Sequence, residues 1–305
     1  MLKDRVDAYV AERRAMGYKY RSQSGLLQSF VAFAAQCDET HVRAQTVLDW
    51  AALAPSPMQR RNRLLTVRRF AIAIRPEDPN CEIPPPDAFG RSLPKRKIRL
   101  LFSPDNVLQL LAAASDLKPT GSIRPRTYAT LFGLLSATGI RISEAIALNI
   151  EDVTDDGLLI KATKFRKDRL VPMCQSTHQA ILIYRSHRSR LGSNERALFI
   201  SNRGTRLAYS TVNSIFLQLM RAIGLRDAPG EAGACIHDLR HTFAVRSLEQ
   251  CCGDRAAVSQ HMVALSTYLG HAHISDTYWY LQATPKLLRQ ISEAQEECYG
   301  RDGND

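Results

Sequence analysis

The sequence predicts a mainly α-helical protein with one small antiparallel β-sheet: a helical N-terminal domain followed by a mixed α/β domain. Three observations predict it. Apolar residues recur at helical spacing through most of the chain. That period gives way to short β-prone runs only around residues 153–173. Between the two parts, Pro84-Pro85-Pro86 breaks any helix and a basic stretch follows. A chain of 305 residues can fill two cores. The expected boundaries are 1–88 for the helical domain, 89–100 for a basic linker and 101–305 for the second domain.

In chain order, Val6, Tyr9 and Val10 open the first apolar stripe. Leu26, Leu27, Phe30, Val31 and Phe33 form the second, and Val47, Trp50 and Ala51 a shorter third. A fourth helix, from about Met58 to Ile74, has Leu64, Leu65, Val67, Phe70, Ala71 and Ile74 as its apolar surface. It also carries Arg60, Arg61, Arg63, Arg68 and Arg69, continued by Arg75 with no acid between them. Charge runs are usually solvated faces. The unbroken arginine series points instead to a DNA-facing helix, because the guanidinium fork suits phosphates and guanine edges. Lys95, Arg96 and Lys97 extend this basic character into the linker. Ser103-Pro104-Asp105 then caps a new helix. Helices follow near 125–137 and 141–148. Val153, Leu159, Ile160, Val171 and Met173 supply the sheet, with Asp156-Gly157 as one turn and a second turn near Lys164–Lys167. Further helices fall near 176–190 and 211–223, the latter capped by Ser210, and helical patterns run on to the end.

Composition narrows the function classes. The net charge is +11 and the pI about 9.5, with most of the excess in the first hundred residues. Such a balance favours a polyanionic partner. No stretch is long and apolar enough to span a bilayer, and the charged N-terminus lacks a signal-peptide layout. A cytoplasmic location without membrane association is expected. The seven cysteines include no C-x-x-C pair, which argues against a disulfide framework and a zinc ribbon.

Four local patterns carry chemistry. In Ala137-Thr138-Gly139-Ile140-Arg141-Ile142-Ser143-Glu144, Gly139 ends one helix and Arg141 opens the next; the arginine either holds an anion or simply pairs with Glu144. In Lys164-Phe165-Arg166-Lys167-Asp168-Arg169, a hairpin lysine can reach a ligand held by the helical body. In His237-Asp238-Leu239-Arg240-His241-Thr242, His237 and Arg240 share a helix face. His237 and His241 have zinc-protease spacing, but Asp238 stands where that pattern needs glutamate and Arg240 adds a cation, so no metal is expected. The fourth pattern is Leu269-Gly270-His271 through Tyr280. On a helical wheel Ile274, Tyr278 and Leu281 form one stripe, which makes Tyr278 a core residue and leaves Tyr280 free to face a ligand. Taken together, two arginines, two histidines, a lysine and a tyrosine describe a phosphodiester site. Arginines stabilise the pentavalent transition state, a base activates the phenol, and a lysine protonates the leaving oxygen. This chemistry needs no cofactor.

These patterns, in this order and with tyrosine nine residues after His271, resemble the tyrosine recombinase (phage integrase) family over nearly the whole chain. The resemblance implies that Arg141 and Arg240 bind the scissile phosphate. It makes His237 an acceptor of the tyrosine proton, His271 a hydrogen-bond donor to the phosphate, and Tyr280 the nucleophile that forms a 3′-phosphotyrosyl bond. Lys164 matches the hairpin lysine, with Lys161 and Lys167 as neighbouring candidates, and Glu144 an acid that supports Arg141. Also implied are a core-binding N-terminal domain, a C-shaped clamp on double-stranded DNA, and a homotetramer working on two sites through a Holliday junction. Other recombinases or accessory proteins are possible partners. Leu287, Leu288 and Ile291 offer an apolar face to a neighbouring protomer or to the chain's own core. No arm-type domain is expected ahead of Met1, and the Leu265–His271 and Tyr278–Leu281 segments resemble members carried by transposons and other mobile elements. The rival readings are a relaxing topoisomerase of the IB type, a catalytically silent DNA-binding accessory protein, and a zinc hydrolase centred on His237 and His241.

Overall fold

The computed structural model describes residues 1–90, 99–161, 168–228, 231, 233–250, 255–271 and 273–281. The chain forms two compact units, Met1–Lys97 and Ile98–Asp305. It is mostly helical with one small three-stranded antiparallel sheet.

The N-terminal unit packs α1 (Leu2–Ala15), α2 (Arg21–Gln36), α3 (Ala44–Ala52) and α4 (Pro57–Ile74) around one apolar core. Phe30 meets Trp50 edge to face at 5.5 Å, and Tyr9 meets Phe70 at 5.3 Å. Ser56 caps α4 by accepting from the Gln59 amide, and Pro57 opens the helix, where its missing N–H costs nothing. Asp78, almost fully buried, receives Arg5 and His41 and so ties α1 to the turn after α4. Residues 81–90 belong to this unit: Cys81 is buried in its core and Phe89 packs against it.

The C-terminal unit begins with α5 (Pro104–Ser115), α6 (Arg124–Thr138) and α7 (Ile142–Ala147). Strands β1 (Val153–Thr154), β2 (Gly157–Ile160) and β3 (Arg169–Val171) form the sheet in sequence order. Thr154 pairs with Gly157, so the tight turn is Asp155-Asp156, one residue earlier than the sequence suggested. Gly157 opens β2 by pairing with Thr154, and only glycine fits there, because a Cβ would meet the Val171 carbonyl at 2.4 Å. Next come α8 (Gln175–Ser189), α9 (Tyr209–Ala222), α10 (His237–Glu249), α11 (Arg255–Leu269) and α12 (Ser275–Leu281). Ser210 lies inside α9 and does not cap it. Buried Leu207 anchors the entry, and helix begins at Tyr209 after Ala208.

Two apolar clusters hold this unit. The larger joins α5, α6, the sheet, α8 and α9, with Phe216 set edge to face against Phe132 at 5.5 Å and Phe102 at 6.5 Å. The smaller joins Ala244, Val245 and Leu248 of α10 to Met262, Leu265 and Leu269 of α11 and to Tyr280 of α12. Among the described residues no helix is long and apolar enough to cross a membrane. Phe216 is fully buried. Phe216→Ala is therefore expected to destabilise the C-terminal unit by about 3–5 kcal/mol, read from urea unfolding. An unchanged midpoint would show that this aromatic contact is not central to the core.

Candidate active site

The site is assembled around the end of α11. Helix α11 stops because Gly270 adopts φ +67°, and the chain closes a Schellman turn: Gly270 N–H donates to the Thr267 carbonyl and His271 N–H to that of Ser266, both at 3.0 Å. The next carbonyls therefore point outward without helical partners, and guanidinium groups fill them. Arg240 donates from Nη2 to the Leu269 carbonyl at 2.7 Å and from Nη1 to the Gly139 carbonyl at 2.8 Å. Arg141 donates to the Gly270 carbonyl at 3.0 Å and to that of Leu269 at 3.4 Å. The two arginines named from the sequence thus share one acceptor.

Arg141 is the N-cap residue of α7. Glu144, three residues on, accepts from its backbone N–H at 2.8 Å and from its Nη1 at 2.9 Å. The sequence offered either an anion site or an Arg141–Glu144 pair. The pair forms, yet Arg141 remains about one-third exposed and uses only part of its five N–H groups. Gly139 adopts φ +60° at the end of α6, and a Cβ there would meet the Phe243 ring at 2.4 Å. That close approach sets Arg141 beside α10.

Helix α10 presents His237 and Arg240 toward this cluster. Burial, then the charge of Arg141, lowers Arg240 to about 10, so it stays cationic at neutral pH. His237 keeps an exposed edge, but desolvation by the surrounding protein, then the charges of Arg240 and Arg99, lower it to about 4. Burial, then Arg240 and Arg141, lower His271 to about 4 as well. Both imidazoles are accordingly neutral at pH 7. His271 is fixed through Nδ1, 2.8 Å from the hydroxyl of fully buried Thr277.

Tyr280 is buried at 6% exposure, whereas Tyr278 is 51% exposed. This reverses the orientation read from the helical wheel. Helix α12 is only seven residues long and docks on α10 and α11, with Tyr280 in their apolar cluster and Thr277 fully buried. Ile274 and Tyr278 face outward. The Tyr280 ring stacks on His271 (5.9 Å, 18°) and tilts against His241 (5.2 Å, 44°). Arg240 lies near this phenol, which favours the charged form of the guanidinium. The structure therefore brings Arg141, Glu144, His237, Arg240, His271 and Tyr280 together.

Lys164 and Lys167 lie outside the described residues, as do Lys95, Arg96, Lys97, Leu287, Leu288 and Ile291. Lys161 pairs with Asp152 at 2.5 Å. On α4, most of the arginines are held by carbonyls of their own unit: Arg60 by Ala54, Arg61 by Gly90, Arg63 by Trp50 and Arg68 by Pro84. Arg69 is exposed. Each of these four arginines thus spends one N–H group within its own unit and remains partly exposed. Among the described residues no group of three or more His, Cys, Asp or Glu is arranged to hold a metal ion.

Sequence reasoning missed three residues. Arg169 stood in the sequence only as the last residue of the Lys164–Arg169 pattern, with no role given to it, yet it pairs with Glu144 through both Nη atoms at 3.0 and 2.8 Å. Burial pushes Glu144 up, but Arg169 and the Arg141 backbone outweigh it and hold the carboxylate below its usual range. Arg99 donates to Asp238 beside His237, and Thr277 anchors His271. A lone acid among so many arginines was the signal for the first; tertiary contact alone reveals the other two.

A model of the phage integrase family matches residues 101–286. A protein of Sinorhizobium fredii (strain NBRC 101917 / NGR234) named as an integrase/recombinase is 37% identical over 296 residues, covering 93% of this chain and 94% of its own. The Tn1549 transposon integrase in complex with transposon right end DNA has a similar fold, with TM-score 0.65 at 16% identity, covering 95% of this chain and 98% of its own. The lambda integrase tetramer bound to a Holliday junction has a TM-score of 0.61 at 16% identity, covering 89% and 77%.

The depressed histidines set a pH dependence. The unfolded chain takes up their protons near 6.5, while the folded site resists until about 4. Their contribution to stability is thus complete above 6.5 and drains away as pH falls toward 4. The urea midpoint should decline across this window, and less steeply in a His237→Asn/His271→Asn variant. An equal slope in both proteins would mean that these rings do not carry the effect.

Proposed function

The chain belongs to the phage integrase family, and from that membership we propose that it is a site-specific DNA recombinase whose nucleophile is Tyr280. The observation that carries the reading is the burial of the Tyr280 phenol against His271 and Arg240, with Arg240 and Arg141 held on one carbonyl. Family membership alone does not require the tyrosine to lie inside its own chain's cationic cluster.

In this reading the unused N–H groups of Arg141 and Arg240 grip the non-bridging oxygens of a DNA phosphodiester. His237, neutral at pH 7, accepts the phenol proton. Tyr280 Oη bonds to phosphorus and the bond to the 5′ oxygen breaks, leaving a 3′-phosphotyrosyl linkage. Lys164 delivers the proton that makes the leaving group a 5′ hydroxyl. His271 donates to a phosphate oxygen through the nitrogen not engaged with Thr277. Rejoining reverses these steps with a 5′ hydroxyl from another strand. Bond energy is conserved in the linkage, so no nucleotide is consumed.

The partner is double-stranded DNA, gripped in addition by the basic N-terminal unit, where Arg69 is exposed for backbone contact. Assembly as a homotetramer on two sites, and service to a mobile element, follow from likeness to the lambda and transposon proteins.

The test is covalent trapping. Duplex DNA from the chain's genetic neighbourhood, nicked near the crossover so that the short 5′ product diffuses away, is incubated with protein in the presence of chelator. Products are resolved on a denaturing gel. An adduct is expected from wild type and from Tyr278→Phe, and none from Tyr280→Phe. An adduct that survives Tyr280→Phe assigns the wrong nucleophile here. No adduct on DNA that the protein binds would favour an accessory DNA-binding role.

A further inference from the structure

We propose that Arg169 is a positioning residue of the reaction, locking the β2–β3 hairpin to the arginine clamp and keeping the charge of Arg141 available for phosphate. The inference rests on the recombinase reading and extends it to a residue outside the expected phosphate-binding set.

Arg169 opens β3, directly after the segment that carries the hairpin lysine. Its side chain is only 11% exposed. The guanidinium makes contacts in three directions. Nη1 and Nη2 hold both oxygens of Glu144, at 3.0 and 2.8 Å. Nε donates to the Tyr268 carbonyl at 2.9 Å. Its flat face lies against Gly270, where a Cβ would come within 2.7 Å of Nη1. A second tie runs parallel to these, from the Tyr268 hydroxyl to the Pro172 carbonyl at 3.4 Å. Strand β3 is thereby fastened to the chain turn that holds Arg240 and Arg141.

The electrostatic consequence is specific. Arg141, Glu144 and Arg169 form a row of charges plus, minus, plus. With Arg169 present, the carboxylate is shared and the row carries one net positive charge. Without it, Glu144 pairs with Arg141 alone and the pair is neutral. A half-buried carboxylate that has lost one fork also draws the remaining guanidinium toward itself. The phosphate would then meet a clamp misplaced in position and weakened in charge. A lysine cannot replace the arginine, because one ammonium cannot fill both carboxylate oxygens and the Tyr268 carbonyl in a fixed plane.

The experiment is single-turnover adduct formation on the nicked duplex, comparing wild type, Arg169→Ala and Arg169→Lys. It records both the rate at saturating DNA and the DNA concentration for half saturation. Arg169→Ala is expected to lower the saturated rate roughly a hundredfold with half saturation unchanged. Arg169→Lys should recover little of it. Methylguanidinium, at sub-denaturing concentration, should restore rate to Arg169→Ala and leave wild type unaffected, which a purely structural role would not produce. Arg169→Lys, which keeps a positive charge and most of the side-chain volume, carries the test if Arg169→Ala does not fold. A saturated rate equal to wild type in the folded variants overturns the inference. So does a loss confined to DNA affinity, or a slow Arg169→Ala that methylguanidinium does not restore. Absence of an adduct in wild type would instead overturn the recombinase reading itself.

Discussion

The end of α11 is the constraint on which the site depends. A helix terminus leaves backbone carbonyls without partners, and the partial negative charge of the helix collects there. The Schellman turn at Gly270 satisfies Thr267 and Ser266 and leaves Tyr268, Leu269 and Gly270 to other donors. Arg169, Arg240 and Arg141 are those donors. Three cations from β3, α10 and the start of α7 are thus gathered by three successive carbonyls. Bringing like charges so close is costly, and the cost is met by backbone acceptors that cannot titrate or swing away. Glu144 is the one acid among these contacts, and it stands between two of the arginines.

This arrangement also sets the protonation states. Arg240 remains charged because its ordinary value is so high that burial and Arg141 bring it only to about 10. Histidine has less reserve, and the same surroundings push His237 and His271 to about 4. One cationic field, buried at Arg240 and open to solvent at Arg141 and His237, therefore sets a charged Arg240 beside neutral imidazoles. That is the combination that a phosphate clamp with an adjacent proton acceptor requires.

Much of this was legible in the sequence. The amphipathic stripes, the cap at Ser103, the sheet at 153–171 and the boxes around Arg141, His237–Arg240 and His271–Tyr280 all depend on local pattern. The misreadings have local causes too. The helical wheel failed at Tyr278 and Tyr280 because α12 is two turns long, too short for its own periodicity to choose a face. Docking on α10 and α11 chose instead. For the arginines of α4 the sequence shows charge but not the acceptors within the unit that engage part of it. The carbonyls of Ala54, Trp50, Pro84 and Gly90, which claim four of them, come from other parts of the unit.

By itself, then, the sequence determined the helical character of the chain, the residue types of the site and their order, because these are set by spacing within a few residues. Only the tertiary structure decided which carbonyls hold Arg141 and Arg240, that Arg169 completes the pair with Glu144, and that Tyr280 rather than Tyr278 turns inward. Those outcomes join residues up to 129 positions apart. They follow from close packing and from the need of buried donors and acceptors to find one another, which no local pattern records.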